Sequence, residues 1–256
     1  MANPIEQFTI KPIIPLEIGG VDLAFTNSSL FMVLGVVVAV GFFLIAARAA
    51  LVPGRVQGFA EMMHEFIAKL IRDTIGEAGM PFFPLIFTIF VFVFMGNSLS
   101  MLPLGFAFTS HVVVTLALAV MVFAIVVIVG LMRHGLRFFT LFAPHGVPWY
   151  ILPLLIPIEI ISFLMRPFTH GVRLFVNMMA GHMVMKVFAG FIVVMLGLGG
   201  ILSASSVLPS GFELVVVAFE FFVALLQAYI FTIFACIYLK DAIYLHGPDA
   251  AHAHSH

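Results

Sequence analysis

The stretch WYILPLLIPIEIISFLMRPFTHGVRLFVNMMAGHMVMKVFAGFIVVMLGL, residues 149–198, decides the fold class. Its only charges are Glu159, Arg166, Arg173 and Lys186. A helix apolar on all sides belongs inside a large core or in lipid. About 20 mostly apolar residues cross a bilayer, and this run is more than twice that length. Shorter runs of the same kind extend over 30–47, 82–104, 111–132 and 212–244. Breakers agree with the edges: Pro53-Gly54, Pro81, Pro103, His134-Gly135, Pro144, Pro148, Gly199-Gly200 and Pro209. No strand alternation competes with them.

Composition points the same way. Of the 256 residues, 63% are apolar and 9% charged, and mean hydropathy is +1.22. A soluble domain carries about 45–50% apolar and about 25% charged residues. These values exclude a soluble enzyme and a disordered chain. Eleven Lys and Arg make no basic footprint for a nucleic acid. One cysteine, Cys236, excludes a disulfide framework and a multi-cysteine metal site. The expectation is an all-α membrane protein with five spans, needing no cofactor and holding no metal.

Three regions follow: an extramembrane segment over 1–29, a membrane domain over 30–245, and a His-containing tail over 246–256 that reads as disordered. The N-terminal segment lacks the basic start and apolar core of a signal peptide. Residues 55–79 place Phe59, Met62, Met63, Phe66, Leu70 and Ile75 near helical spacing among Glu61, Glu65, Lys69 and Arg72. This is an amphipathic helix, read as interfacial, with packing on a partner subunit as the alternative. Residues 138–142 form a shorter one. Arg48, Arg55, Lys69, Arg72, Arg133, Arg137 and Lys240 all fall on one side of a five-span layout. The positive-inside rule then puts the N-terminus outside and the C-terminus in the cytoplasm.

The last two spans carry Glu159, Arg166, Arg173, Lys186, Glu213 and Glu220, accompanied by His170, Asn177, His182 and Gln227. A charge at the centre of a membrane helix costs about 2.5–3.5 kcal/mol, so six facing lipid would cost on the order of 15–20 kcal/mol. A folding margin of about 5–15 kcal/mol does not absorb that. Most must face water, one another or a partner. Glu159, Arg166 and Arg173 are seven apart and share a stripe, which Asn177 continues. Glu213, Glu220 and Gln227 form a second stripe. His182 falls near the opposite side from Arg173. Counting from a hairpin at 199–206 puts His182 and Glu220 near one level, towards the outside, and Glu159 towards the cytoplasm. A straight rod over 149–198 would be about 75 Å long against a core of about 30 Å, so the hairpin must be strongly inclined, bent or partly outside.

Residue type sets the chemistry. Arg173 keeps its proton and cannot relay one, but it attracts a carboxylate and holds it ionised. His182 and Glu220 can relay protons at the outer level, and Glu159 at the inner one. The pattern is two offset half-channels separated by a fixed positive charge. It requires a mobile carboxylate that this chain does not offer. Other readings of the same residues stay open. Arg173 could pair with Glu220 or Glu159, His182 could be a buried hydrogen-bonding residue, and Glu159 could snorkel to water. Gln227 could join helices, and Arg166 and Lys186 read as structural or interfacial.

RPFTHGVRLFVNMMAGH, residues 166–182, resembles the signature of subunit a of F-type ATP synthases. EFFVALLQAYIFTIFACIYL, 220–239, is similar to that family's last helix, and GNSLSMLP, 96–103, is placed like its second-span motif. The resemblance covers essentially the whole chain and implies the fold of the family, with the last two helices forming a long, strongly tilted hairpin against a c-ring. It also implies roles. Arg173 matches the essential arginine facing the c-ring carboxylates. Asn177, His182, Glu220 and Gln227 match the outer half-channel, Glu159 an acidic position of the inner one, and Asn97 a polar residue of the second span. Histidine at 182 with glutamate at 220 resembles mitochondrial and alphaproteobacterial members. Ser100 stands where many bacterial members carry aspartate. The implied partners are the c-ring, the peripheral-stalk b subunits and the bilayer, in a bacterial inner membrane or, alternatively, a mitochondrial one. No phosphate-cradling Gly-rich loop is present, so no nucleotide is expected on this chain. A self-contained proton-coupled transporter is the alternative function, although paired repeats are not evident.

Overall fold

A computed structural model describes residues 12–14, 17–18, 21–22, 24–47, 54–102, 105–142, 150–199 and 205–244. The expectations for Arg48 and the histidine tail lie outside them. Four short strands, β1 (Pro12–Ile14), β2 (Glu17–Ile18), β3 (Val21–Asp22) and β4 (Phe25–Thr26), pair antiparallel as β1 with β4 and β2 with β3. Segments of two or three residues are too short to show alternation, so periodicity carries no sign of them.

Six α-helices follow: α1 (Asn27–Ala46), α2 (Arg55–Thr74), α3 (Phe83–Ser100), α4 (Val112–His134), α5 (Leu152–Leu198) and α6 (Val207–Ile243). All but α2 belong to segments long and apolar enough to cross a membrane. α1 starts three residues before the expected edge because Thr26 caps it, its hydroxyl accepting from Ser29 N–H at 3.3 Å. α4 stops at Gly135, whose φ of 55° suits only glycine without strain. α6 begins at Val207 rather than near 212, with Pro209 inside its first turn. A first turn has no intrahelical use for the proline's missing N–H, so Pro209 starts the helix instead of excluding it. Pro157 and Pro167 lie inside α5, which continues through them, as packed neighbours in a bundle allow.

The core sits on α3. Ile86, Ile89, Phe90, Val93 and Phe94 are buried, against Ile67 and Ile71 of α2 and Phe231, Ala235 and Leu239 of α6. α2 is more than an interfacial helix. Its Met63, Ile67, Leu70 and Ile71 enter this core, whereas Phe59, Met62 and Phe66 stay exposed. The 3-10 segment Gly135–Phe142 folds back on α4, burying Phe138 and Leu141.

α5 and α6 form the antiparallel hairpin expected from the sequence. Pairing proceeds turn by turn: Arg166 meets Asp241, Arg173 meets Phe234, Asn177 meets Gln227, Gly181 meets Glu220 and Phe188 meets Phe212. Burial on α5 is confined to 163–182 and on α6 to 220–243. The rest of the hairpin extends beyond the bundle.

Candidate functional site

The polar residues of the hairpin are sorted by the register just described. At the end of the hairpin nearest the C-terminus of α6, Arg166 donates to Asp241 at 2.7 Å, and the guanidinium lies 5.4 Å from both the Phe163 and Tyr238 rings. This charge is neutralised within the chain, as its structural reading expected. Asp241 was not singled out, although the seven-residue stripe of Glu213, Glu220 and Gln227 reaches it two heptads later.

Two turns further along α5, Arg173 is exposed. Its guanidinium lies 4.5 Å from the Phe234 ring centroid, and no carboxylate pairs with it among the described residues. Val176, Ala180, Val184, Val187 and Phe191 share that exposed α5 face with the uncharged Ser162, Thr169 and Asn177. Arg173 is thus a positive charge on a largely apolar face whose other exposed polar residues are uncharged. An ion of this kind is stable in a membrane only with an acidic partner or water beside it. Pairing with Glu159 or Glu220, the alternative left open by the sequence, is absent here: neither carboxylate is within ion-pair distance.

One turn beyond, Asn177 Nδ2 donates to Gln227 Oε1 at 2.7 Å, tying α5 to α6 across the hairpin. At the next turn Gly181 has no side chain, and the Glu220 carboxyl occupies that space. An added Cβ would overlap it. Glu220 is buried, and its Oε2 has no hydrogen-bond partner among the described residues. His182 follows directly, buried and facing α3. The level inferred for His182 and Glu220 by counting along the chain therefore holds.

His182 Nε2 lies 3.0 Å from Ser100 Oγ, and Ser100 Oγ donates its proton to Asn97 O at 2.6 Å. A hydroxyl has one proton, so Ser100 can only accept from His182. That assigns the Nε2–H tautomer and leaves Nδ1 as the basic nitrogen. Sequence reasoning found His182 but not this partner. The signal was Ser100 standing in place of an aspartate. Asn97 is fully buried, and both of its side-chain polar atoms lack a hydrogen-bond partner among the described residues. His170 is also buried, its ring 3.8 Å from that of Phe231. Glu159 is half-buried near the start of α5, about 21 Å along the axis before Arg173 at 1.5 Å per residue. Among the described residues no cluster of His, Cys, Asp and Glu could hold a metal ion.

The model of the ATP synthase A chain family matches residues 29–240. The chain belongs to that family. ATP synthase subunit a of Rhodospirillum rubrum is 54% identical over 247 residues, covering 96% of this chain and 100% of that protein. Its counterpart in Paramagnetospirillum magneticum is 49% identical over 250 residues, covering 96% and 100%. That in Mesorhizobium japonicum is 49% identical over 243 residues, covering 94% and 96%. Family membership makes this a multi-pass membrane subunit of an ATP synthase, consistent with its five membrane-crossing segments.

Proposed function

We propose that the chain is the proton-channel stator subunit of a rotary F-type ATP synthase, with Arg173 as the gate between two half-channels. The observation that carries this reading is Arg173, exposed on a largely apolar face of α5 with no carboxylate paired to it among the described residues. Such a surface is complementary to a neighbouring helix that brings one carboxylate into the membrane. A ring of c subunits would present one such acid after another.

The outer half-channel runs through Asn97 and Ser100 to His182 and Glu220. His182 receives a proton on Nδ1 while Nε2–H stays on Ser100, and passes it towards Glu220, which packs against the residue before His182. Asn177 and Gln227, bonded to each other, stand between this pair and Arg173. They offer hydrogen bonds without a titratable group, so they orient the arriving acid rather than store protons. Arg173 holds that acid ionised as it passes, and its fixed charge repels a proton on the direct line between the half-channels. Glu159 serves the inner half-channel, from which protons leave. The hairpin lies strongly tilted along the c-ring, since α5 is about 70 Å long at 1.5 Å per residue and the hydrocarbon core is about 30 Å. Peripheral-stalk b subunits hold the chain against rotation. The membrane is the bacterial inner membrane, with the N-terminus outside and the C-terminus cytoplasmic, as the Lys and Arg distribution favours. The catalytic work of ATP synthesis takes place on other subunits.

Arg173→Ala tests this reading in membrane vesicles. The complex should assemble while both ATP synthesis and ATP-driven proton pumping are lost. Near-normal coupled pumping by that variant would overturn the assignment.

A further inference from the structure

One row of rings on α6 serves both arginines of α5. Phe231, Phe234 and Tyr238 are spaced three and four apart and so share a face of the helix. Tyr238 meets Arg166, with the guanidinium carbon 5.4 Å from its ring centroid, and Phe234 meets Arg173 at 4.5 Å. The Phe234 and Tyr238 centroids are 6.0 Å apart. The two arginines differ in the acid beside them. Asp241 pairs with Arg166 at 2.7 Å, and no carboxylate pairs with Arg173 among the described residues.

Behind this row sits His170, a buried titratable side chain that the half-channels leave unused. Its ring centroid lies 3.8 Å from that of Phe231, 5.9 Å from Phe234 and 5.8 Å from Tyr238. It meets the last two edge-on, at 74° and 69°. Neither ring nitrogen has a hydrogen-bond partner among the described residues, so what His170 gives α6 is ring contact. The next residue, Gly171, brings α5 close to α4, and an added Cβ would lie 3.0 Å from the Thr115 carbonyl oxygen. That approach fixes the backbone from which His170 projects.

A carboxylate and a ring hold a guanidinium in different ways. A carboxylate cancels the charge and takes up N–H donors, as Asp241 does for Arg166. A ring attracts the charge through its quadrupole and leaves all five donors free. An arginine with no anchor spreads over many rotamers, and that freedom is lost each time an acid is captured.

We propose that Phe234 is the positioning residue of the gate: its ring holds the Arg173 guanidinium in place and fully charged between one arriving carboxylate and the next, and His170 braces that ring from behind. The proposal rests on the gate reading of Arg173 and adds what keeps the arginine presented while no acid is beside it.

The test uses the assembled synthase in membrane vesicles. Phe234 is replaced in turn by mono-, di- and trifluorinated phenylalanine. Fluorine withdraws electron density from the ring face with little change of shape, so the attraction for a cation weakens while packing is kept. Proton-driven ATP synthesis should fall in that order, to a loss of about 2–30-fold, the range of such a contact from exposed to desolvated sites. Subunit content and the melting temperature of the solubilised complex should stay unchanged. Phe234→Leu should show the same loss, and Phe234→Tyr should keep the wild-type rate. His170→Phe should also keep it. His170→Ala should lower the rate in the wild-type background but not when position 234 already carries leucine, because the two residues act through one contact. A flat rate across the fluorinated series, or equal rates for the leucine and tyrosine variants, would overturn the proposal and leave Arg173 as the gate. Independent losses from His170→Ala and Phe234→Leu would overturn the part given to His170. Coupled pumping in Arg173→Ala would instead overturn the gate reading and this proposal with it.

Discussion

Gly181→Ala is the sharpest perturbation of the relay, because it adds one methyl group where the Glu220 carboxyl now lies. Both carboxylate oxygens are within contact of the added Cβ, the farther one at 3.0 Å. Ordinary carbon contacts begin near 3.5 Å, so the carboxyl must withdraw by about 2 Å or the two helices must part. Overpacking of this kind costs about 1–3 kcal/mol. If that falls on the barrier for proton hand-off, the rate drops by about 5–150-fold. The assay is passive proton conduction through vesicles stripped of the catalytic sector, with assembly checked by copurification of the complex. Glu220→Asp, shorter by one methylene, should recover part of the loss when combined with Gly181→Ala, since it draws the carboxyl back from the new methyl. Wild-type conduction by Gly181→Ala would refute the reasoning. So would a double variant showing the simple product of the two single effects, because contacting residues should couple.

Two further outcomes follow from the packing. Arg166→Ala and Asp241→Ala should each lower the thermal stability of the solubilised complex by about 1–3 kcal/mol, since each leaves a partly buried ion alone. The double variant should be less damaged than the sum of the two, and strict additivity would show that the ion pair does not hold the hairpin. Gly130→Ala should cost about 1–3 kcal/mol because its Cβ would overlap the Phe138 ring. Phe138→Leu should relieve that cost in the same melting experiment, and absence of relief would place the strain elsewhere.

Much of this molecule was legible before any coordinates. Apolar runs of membrane length can form only helices or closed barrels, since lipid leaves no other way to satisfy the backbone. Their continuity without alternation selected helices. The rarity of charges in such runs singled out Arg173, His182 and Glu220, because every ion there needs a reason to exist. A separation of nine residues put Arg173 and His182 on different sides of α5, and the structure leaves Arg173 exposed and His182 buried. What one chain's periodicity does not encode is which turn of one helix meets which turn of another. The pairs Asn177–Gln227 and Arg166–Asp241, the Ser100 partner of His182 and the use of Gly181 as space for Glu220 were all set by packing. The buried 105–110 segment, with Phe108 against Gly96 of α3 and Gly35 of α1, was equally hidden, because a Phe in a connection is indistinguishable from a Phe in a span until glycines on two other helices open a place for it. Sequence determined that this protein lives in a membrane and where its charges lie along each helix, because those depend on local hydropathy. Tertiary structure decided that the Arg166 charge is cancelled inside the chain and that Arg173 is left facing outward with no carboxylate paired to it among the described residues, because that depends on distances between residues far apart in sequence.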